Sequence, residues 1–586
     1  MDQRNVAVVL SGDCRAPVFG LRRRALVAAC VAGFSLGQVA HAAVEVAAPA
    51  DIQRRQNQQA ESIRDQANSR PDVFTDSQAS AAQDDEIPQD AACFDIVRVQ
   101  ASSPEFPWLE QWLRQAEGRC IGRNGLLWLQ RHANDALIQR GYITSRVLLP
   151  GQTLSGGVLT FDIVAGRVAA IEVASEGEGE DGGEAPAPQR LARAMAMSAG
   201  DLLNQRDVDQ GLENLRRLVG QSDATIDIVP GDAFAQSIVR IHPGTGRRVQ
   251  AGLGADNLGL DATGKYQLAG TLSIESPLGL ADQLQVWAGA NADYGAGKGN
   301  LSYGGNWNVP FGYGSLFVGA TRARYQQTLS LASMPFVYRG TSSEVTAGAS
   351  RVVFRNSTAR TQVSARVYRR IYRNYLADAE LAVQHQDVTG FELSATHRQY
   401  FSTAGVMGTV SWRQNFAGLS AVPGMAPGIG VTPALQALTG TLIAYVPLTL
   451  AGHKTAYQMT WTGQYGRTRM TANDFFPIGT RATVRGFDGQ TTLAAESGFA
   501  VQNELQLPLH GQTAFAGVDF GKVSGPSARN LSGTSLAGAV VGVRGQIDRP
   551  GPAALSYEIS LGMPLSRPAT FSTHKPVLLA QLSGQF

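Results

Sequence analysis

The residue types that carry out catalysis or bind metals are sparse and scattered in this chain of 586 residues. Its eight histidines form neither a His-Glu-x-x-His motif nor a pair four positions apart, the spacing that places two zinc ligands on one helix face. Residues 295–298 (GAGK) lack the first glycine and the Ser or Thr of a phosphate-binding loop, so they predict a turn. We therefore expect no enzymatic activity, no metal and no cofactor.

The N-terminus has the three parts of a secretory signal peptide. Arg22–Arg24 form a basic segment, an apolar run follows at 25–36, and residues 40–42 (AHA) give a small-x-small cleavage site. The apolar run is too short to span a bilayer as a helix. We therefore expect residues 1–42 to be removed and the mature chain to begin near Ala43. The long stretch before the basic segment leaves the true translation start open.

Cysteine usage agrees with export. Cys14 and Cys30 lie in the signal region, and the remaining pair is Cys93 and Cys120. The sequence has no Cys-x-x-Cys motif and no further ligand near this pair, and an even pair in an oxidising compartment is more often a disulfide than a redox or metal site. We predict a disulfide between Cys93 and Cys120, with a redox or metal-binding pair as the alternative.

A polar segment, residues 43–92, precedes the first folded module. Residues 50–67 are rich in glutamine, lack Pro and Gly and carry few apolar side chains. They predict a weakly amphipathic helix at best, and disorder is the alternative. Residues 68–92 contain prolines, serines and acids, which indicates a flexible linker.

Two modules, expected at 93–167 and 168–244, mix strands with amphipathic helices in a similar order. In the first we expect strands at 94–99, 145–149 and 158–164 and helices around 108–113 and 126–137, with Gly141 ending the second helix. In the second we expect strands at 168–173, 224–229 and 237–242, an acidic loop at 176–184 and a main helix over 208–218. About 75 residues are enough for one α+β core in each module.

From about Thr245 to Phe586 apolar residues alternate with polar or small ones, as in 283–291 (QLQVWAGAN). Charged residues make up only 17% of the chain, and mean hydropathy is −0.10. Such a pattern predicts a sandwich with a solvated face in water, or a barrel with lipid outside and water inside in a membrane. The length of the region and the aromatic Phe586 on a final alternating strand favour the barrel. The net charge of +2 gives no argument for nucleic-acid binding.

Several segments match the motifs of one known family. Residues 141–150 (GYITSRVLLP) and 159–167 (LTFDIVAGR) resemble its first periplasmic (POTRA) module, in which members often carry a cysteine pair. Residues 204–207, 212–215 and 230–231 resemble the second module, and residues 256–257, 263–264 and 277–282 resemble the first barrel hairpin. Over nearly its whole mature length the chain resembles the two-partner secretion transporters of the haemolysin-activator and haemagglutinin-exporter type.

The most specific match consists of two half-motifs. In this superfamily a Val-Arg-Gly-Phe sequence tips a long loop that folds back into the barrel, and its arginine pairs with an acid in a Phe-x-Gly-x-Asp-x-Gly strand. The corresponding residues here are Val484, Arg485, Gly486, Phe487, and Phe515, Gly517, Asp519, Gly521. The resemblance therefore implies that Arg485 pairs with Asp519. A partly desolvated guanidinium needs a fixed carboxylate, and its planar fork suits such pairing better than an ammonium. An ordinary surface arginine is the alternative.

The resemblance implies a fold of two periplasmic α+β modules followed by an antiparallel membrane β-barrel of about sixteen strands at 245–586. It implies an outer-membrane transporter that recognises a large partner protein, such as a haemolysin or an adhesin, and secretes it; whether it also activates the partner is left open. The modules would capture the unfolded partner, and the N-terminal helix would plug the resting pore. Phe586 resembles the signal used by the barrel-assembly machinery. We expect a monomer in contact with outer-membrane lipid.

Three alternatives compete with this interpretation. A barrel-assembly factor of the same superfamily generally carries more than two periplasmic modules. A passive porin has no such modules and no need for Arg485 beside Asp519. A secreted β-rich adhesin has no need for the terminal Phe586. The sequence leaves the partner open among a haemolysin, an adhesin and a contact-dependent toxin.

Overall fold

The computed structural model describes residues 50–56, 86–101, 103–174, 188–293, 297–331, 334–422, 433–547 and 554–586. The expected signal segment 1–42, the linker at 68–85 and the acidic loop at 176–184 lie outside the described residues. Within them the chain forms a short N-terminal helix (residues 50–56), two α+β modules and a closed β-barrel. Of the helices described, none is long and apolar enough to cross a membrane.

The first module is built from three strand pairings and two helices. Its elements are β1 (Cys93–Asp95), β2 (Arg98–Gln100), α1 (Pro107–Leu113), β3 (Cys120–Gly122), α2 (Arg123–Gln139), β4 (Arg146–Leu148), β5 (Val158–Thr160) and β6 (Asp162–Val164). The pairings are β1 with β3, β4 with β6, both antiparallel, and β2 with β5, which is parallel. The strands expected at 94–99 and 158–164 are each split in two. The reason is that the two halves of each run pair with different partners.

The first module has its own apolar core. Four leucines of the two helices are fully buried against the strands: Leu109 and Leu113 of α1, and Leu129 and Leu137 of α2. Within each helix they lie on one face, as the 3–4 spacing in the sequence predicts. Burial of side chains of this size contributes about 1.5–3 kcal/mol each. Helix α2 ends just before Gly141, whose φ of +92° is a conformation that a side chain would strain.

The second module has a three-stranded sheet in the order β7-β9-β8. Its elements are β7 (Arg167–Val173), α3 (Pro188–Ala192), α4 (Gln205–Arg216), β8 (Thr225–Pro230) and β9 (Gln236–His242). Asn204 caps α4, because its side-chain oxygen accepts a hydrogen bond from the backbone N–H of Arg206. Besides apolar residues, α4 buries polar ones, including Gln210, Glu213 and Asn214. The core of the module explains only the apolar face of α4, so the polar face must contact something else.

The remainder of the chain closes into an antiparallel barrel of sixteen long strands. The strands are β10 (Val249–Asp256), β11 (Gln267–Glu275), β12 (Gln283–Asn291), β13 (Gly299–Phe311), β14 (Gly314–Leu331), β15 (Met334–Arg355), β16 (Ala359–Leu376), β18 (Gln386–Phe401), β19 (Ala404–Asn415), β20 (Gln436–Leu450), β21 (His453–Gly466), β24 (Ser497–Leu509), β25 (Gln512–Ser524), β26 (Ser535–Ile547), β27 (Ala554–Ser566) and β28 (Val577–Gln585). A short strand, β17 (Ala379–Glu380), folds back and pairs antiparallel with the end of β16. Strands β22 (Phe476–Ile478) and β23 (Leu493–Ala495) belong to a loop described below.

The alternation of residues separates the two faces of the barrel wall. On β16 the buried residues Arg366, Tyr368 and Arg370 point inward, and the intervening Val367 is 53% exposed on the outside. The barrel closes where β28 pairs with β10, and Phe586 extends this seam through two backbone hydrogen bonds with Ala251. The barrel expected from the sequence is therefore confirmed, and the sandwich is wrong.

Candidate functional site in the barrel lumen

The segment between β21 and β24, residues 467–496, folds into the barrel and is called the lumen loop here. It contains a small hairpin of β22 (Phe476–Ile478) and β23 (Leu493–Ala495). Apolar residues of the loop and of the inner wall share one buried cluster, which includes Ile478, Val484, Phe487, Leu493, Ala500, Val523, Leu536 and Phe571. A core of this kind fixes the loop against one side of the lumen.

Arg485 lies at the tip of the lumen loop and contacts Asp519 on β25. Its Nε and Nη2 atoms donate to the two carboxylate oxygens at 2.8 and 2.9 Å, and its backbone N–H donates to the same carboxylate at 2.9 Å. Asp519 is 1% exposed. The planar, bidentate geometry is the one in which arginine pairs most strongly with a carboxylate. The structure thus brings together the two charged residues that the half-motifs singled out.

A second acid, Glu504 on β24, completes the cluster around Arg485. The Arg485 Nη1 atom donates to one oxygen of Glu504, and Arg544 on β26 contacts the other oxygen at 2.7 Å. The guanidinium of Arg544 lies over the ring of Phe515, 5.0 Å from its centroid. Two arginines therefore face two carboxylates, so no charge in this cluster is left without a counter-charge. Sequence reasoning missed Glu504, although it lies on the polar face of an alternating strand.

Glycines allow the loop tip to lie flat on the wall. Gly486 has a φ of +102°, and its backbone rests on Gly538 and Gly562 of the neighbouring strands. A Cβ atom on Gly538 would collide with the carbonyl of Arg485, and one on Gly521 would meet the side chain of Val484 at 2.7 Å. The wall is therefore shaped for the backbone of this tip.

The remaining motif residues pack around the ion cluster. Phe487 makes an edge contact with Phe571, with ring centroids 5.5 Å apart. On β25 Gly517 lies directly opposite Glu504, and its missing side chain leaves the space into which Arg485 reaches. All eight residues of the two half-motifs are therefore found around one contact between loop and wall.

The N-terminal helix (residues 50–56) also lies inside the barrel. Ile52 is buried against Leu260, Tyr325, Tyr338 and Leu376. Gln53 donates to Asn374 on β16 at 3.3 Å, and Gln56 donates to Asn300 on β13 at 2.9 Å. The helix predicted for residues 50–67 is therefore found at residues 50–56, and residues 57–67 lie outside the described residues.

The helix contacts the lumen loop as well as the wall. Thr492 of the loop donates to Asp51 at 2.7 Å, and the guanidinium of Arg55 donates to the carbonyl of Gly489. Arg54 donates to the carbonyl of Ala472, at the start of the loop. The helix and the loop therefore share a set of polar contacts and together occupy part of the lumen.

The polar face of α4 contacts the turns of the barrel that join β13 to β14 and β15 to β16. Asn214 donates to the carbonyl of Gly312 at 2.8 Å, and the Tyr313 hydroxyl donates to Asp207 at 2.6 Å. Arg355 donates to both Gln210 and Glu213. These contacts form a junction between the second module and the barrel, which explains why α4 is buried on both faces.

Glu213 is the centre of this junction. It is 2% exposed and accepts hydrogen bonds from Arg217 of its own helix and from Arg355 and Arg360 of the barrel. Burial by itself would raise the pKa of Glu213, but the three guanidinium groups together lower it to about 2. The carboxylate is therefore charged at any physiological pH.

The structure joins Cys93 to Cys120 in a disulfide that links β1 to β3, with their Cα atoms 5.3 Å apart. The disulfide expected from the sequence is confirmed. In the part of the chain that the structure describes, no group of three or more His, Cys, Asp or Glu side chains is placed to hold a metal ion.

A closed sixteen-stranded barrel behind two α+β modules, with an arginine-tipped loop inside the lumen, defines a class of outer-membrane protein transporters. Family models agree. Residues 235–545 match the model described as haemolysin secretion/activation protein ShlB/FhaC/HecB, residues 96–166 match the ShlB-type POTRA domain, and residues 167–230 match a further POTRA domain. The chain belongs to the ShlB/FhaC/HecB family of haemolysin secretion and activation proteins.

Individual relatives give the same result. The outer membrane transporter CdiB-2 of Burkholderia pseudomallei is 31% identical over 92% of this chain and 95% of that protein. The hemolysin transporter protein ShlB of Serratia marcescens is 28% identical over 85% of this chain and 87% of that protein. The solved structure of CdiB from Escherichia coli, 24% identical, covers 94% of this chain and all of that one with a TM-score of 0.79, so the folds agree.

The protein is accordingly an outer-membrane transporter of the two-partner secretion type, with its two modules in the periplasm. The function, the fold and the location implied by the resemblance are confirmed. Proteins of this family transport large secreted partners.

Proposed function

We propose that this transporter exports one large partner protein through its lumen, and that export requires Arg485 to be held on the inner wall. The observation that carries the proposal is the bonding of Arg485, which donates to two buried carboxylates of the wall from a loop inside the lumen. A charged group inside a narrowed pore needs such compensation to stay in one place. The loop then presents a fixed surface to a passing chain.

The N-terminal helix closes the resting pore in this proposal and leaves before transport. Apart from Ile52, its contacts with the barrel and the lumen loop are polar. Water entering the lumen can replace such hydrogen bonds at little net cost, because each contributes only about 0.5–1.5 kcal/mol. The lumen loop has a shared apolar core with the wall, so it stays when the helix leaves.

The two modules capture the partner while it is unfolded. Strands β7 and β8 are the edges of the second module's sheet, and an extended chain can add to such an edge as another strand. Val97 and Phe234 are 75% and 81% exposed on the first and second modules, and they offer apolar contacts to an unfolded partner. Folding of the partner outside the cell then biases its movement outward without ATP.

The transporter acts as a monomer in contact with outer-membrane lipid. A closed barrel leaves no free edge for pairing with a second copy. Its last strand, β28, ends at the seam beside Phe586, where the barrel-assembly machinery would recognise it during insertion. The partner is a haemolysin, an adhesin or a contact-dependent toxin.

The test is export of a specific partner. The full-length transporter is expressed together with the very large exported protein encoded by a neighbouring reading frame, and the partner is measured in the medium. We expect secretion only when the transporter is present. Equal secretion without it contradicts the proposal. Loss of several unrelated outer-membrane barrels on its deletion favours an assembly factor, and free passage of small solutes without partner secretion favours a porin.

A further inference from the structure

The outer wall of the barrel has an apolar groove of about 810 Å³ near the junction with the second module. It starts at the turn between β13 and β14 and crosses β15, β16, β18 and β19 to reach β20. Its lining includes Phe311, Arg351, Ala365, Ala395, Val410 and Trp412. The groove faces lipid, because its outward residues alternate with the inward Glu344, Arg366 and Arg370 along the same strands.

Four residues that line the groove, Arg351, Val363, Ala395 and Val410, belong to a row of directly paired residues that ends at Gly440, two positions from the lining residue Leu438. Arg351 pairs with Val363, Val363 with Ala395, Ala395 with Val410, and Val410 with Gly440. Directly paired residues of antiparallel strands point to the same face. With strands about 4.8 Å apart, the four steps from the first residue to the last cover roughly 19 Å.

This row rises from the periplasmic side into the membrane. Arg351 is four residues from the end of β15 that faces the second module (351 to 355), and Gly440 is ten residues from the corresponding end of β20 (440 to 450). Barrel strands tilt by about 35–45°, so a row of roughly 19 Å perpendicular to them rises by about 11–14 Å. Counted from a phosphate bound at Arg351, this rise is less than half of a hydrocarbon core about 30 Å thick, so the row stays within one leaflet.

The lower end of the groove carries a cation. Arg351 is exposed, and no other described residue forms a hydrogen bond or an ion pair with its side chain. Another outward arginine of this wall, Arg369, lies toward the opposite end of β16 and is paired with Asp387 at 2.7 Å. A guanidinium without an acid, placed where a phospholipid phosphate lies, has the chemistry to bind that phosphate with two hydrogen bonds.

We propose that this groove binds one phospholipid of the periplasmic leaflet, with its phosphate on Arg351 and one acyl chain along the row from Val363 to Val410. Small side chains at Ala365 and Ala395 form the floor, and Phe311 and Trp412 line the groove as bulky aromatic residues. The bound lipid lies beside Tyr313, which contacts the second module through Asp207. The site is thus specific for the leaflet that faces the modules.

Native mass spectrometry of the purified full-length protein in detergent tests this proposal. The probes are dioleoylphosphatidylglycerol, dioleoylglycerol with the same chains and no phosphate, and lipid A from the opposite leaflet. We expect one retained phosphatidylglycerol per protein and weaker retention of the other two. Arg351→Gln should reduce retention about fivefold or more, as expected for loss of a charge-assisted contact. Ala365→Trp should abolish retention by filling the groove.

Two matched variants control for general effects on the barrel. Arg369→Gln removes an outward arginine outside the groove, and Val367→Trp introduces the same side chain at an exposed position on the same strand. Both should retain the phospholipid, and heat-modifiable migration on gels confirms that every variant is folded. Equal retention of dioleoylglycerol, unchanged retention by Arg351→Gln, or preference for lipid A overturns the proposal.

Discussion

Two buried ion clusters with opposite arrangements of charge hold the parts of this transporter together. In the lumen one arginine, Arg485, lies between two carboxylates, and at the junction one carboxylate, Glu213, lies among three arginines. In the lumen the loop supplies the central charge and the wall supplies its partners. At the junction the helix of the module supplies the central charge, and two of the three partners belong to the barrel. In both places one central residue takes part in most of the ion pairs, so a single substitution removes them.

The consequences of removing the two central residues differ. Without Arg485 the wall keeps Glu504 in its pair with Arg544, and only Asp519 loses its cation. Without Glu213 three guanidinium groups lose their common acceptor at once. In the lumen the second carboxylate keeps a cation, whereas at the junction Arg355 and Arg360 keep only neutral acceptors, Gln210 and Gln362, among the contacts described. The lumen contact, however, lies on the expected transport route, so its loss should affect export more.

The largest expected effect is that of Arg485→Ala on secretion. Asp519 would remain buried without a cation, at a local cost of about 3–5 kcal/mol, and the tip of the loop would lose its ionic contact with the wall. We expect secretion of the partner to fall at least tenfold while the protein still reaches the outer membrane, as measured by immunoblots of medium and of outer-membrane fractions. Arg485→Lys should restore little, because an ammonium cannot reproduce the bidentate contact.

Arg481→Ala is the matched control for this prediction. Arg481 is also on the lumen loop and also pairs with a wall residue, Glu558, but its side chain is 32% exposed against 13% for Arg485. It should leave secretion within about twofold of the wild type, as is usual for a solvent-accessible pair. Exchange of Arg485 and Asp519 is not expected to restore secretion, because an acid at 485 would face Glu504. Normal secretion by correctly assembled Arg485→Ala would show that this contact is not required.

Deletion of residues 50–56 should open the pore. The helix occupies lumen space between the loop and the wall strands β13 and β16, and the barrel closes without it. We expect a several-fold higher single-channel conductance in planar bilayers and an unchanged amount of assembled barrel. Replacement of the same residues by a Gly-Ser segment of equal length controls for the length of the chain. Unchanged conductance in both variants would mean that the helix does not occlude the lumen.

Much of this architecture could be predicted because its patterns are local. The 3–4 spacing of Leu109, Leu113, Leu129 and Leu137 gave the helices of the first module, and period-2 alternation gave the barrel strands. The pair of Arg485 and Asp519 was accessible only through the resemblance to a family, since their separation along the chain carries no physical signal. Glu504, Arg544 and the barrel arginines that donate to Glu213 come together through closure of the barrel and docking of the module, which no local pattern encodes. The strands expected at 94–99 and 158–164 were too long because an uninterrupted run of strand-forming residues does not reveal a change of pairing partner.

Glu213→Ala should loosen the junction. Arg355 and Arg360 would lose an acceptor in a site where Glu213 is almost fully buried, and we expect a local cost of about 3–5 kcal/mol. Hydrogen exchange of α4 should become faster, and secretion should fall several-fold, less than for Arg485→Ala. Glu172→Ala, which breaks an exposed pair with Arg240 on the same module, should change neither. Equal exchange rates in both variants would mean that Glu213 does not hold the module to the barrel.

The junction should also weaken in acid. The pKa of Glu213 is lowered from 4.5 to about 2, so its contribution to stability is fully present above pH 4.5 and is lost as the pH falls toward 2. The shift corresponds to about 3 kcal/mol. Hydrogen exchange of α4 should therefore accelerate between pH 4.5 and pH 2 beyond its intrinsic pH dependence. Glu213→Gln cannot titrate at this position, so it should remove the additional acceleration. If the variant still shows the acceleration, another group causes it.

The smallest effect on secretion is expected for the double variant Cys93→Ala, Cys120→Ala, which touches neither ion cluster. The disulfide joins two cysteines that are 27 positions apart in the sequence. Its removal should lower the free energy of unfolding by about 3–4 kcal/mol, because the unfolded chain gains conformational entropy. The first module keeps a buried apolar core built from both helices and the strands, so it should still fold at 37 °C. We expect a lower Tm for the module and secretion within about twofold of the wild type. Labelling of both cysteines by an alkylating agent without prior reduction of the wild-type protein would show that the bond is not formed. A loss of secretion as large as that of Arg485→Ala would mean that the first module, and not the lumen contact, is the more sensitive point of the transporter.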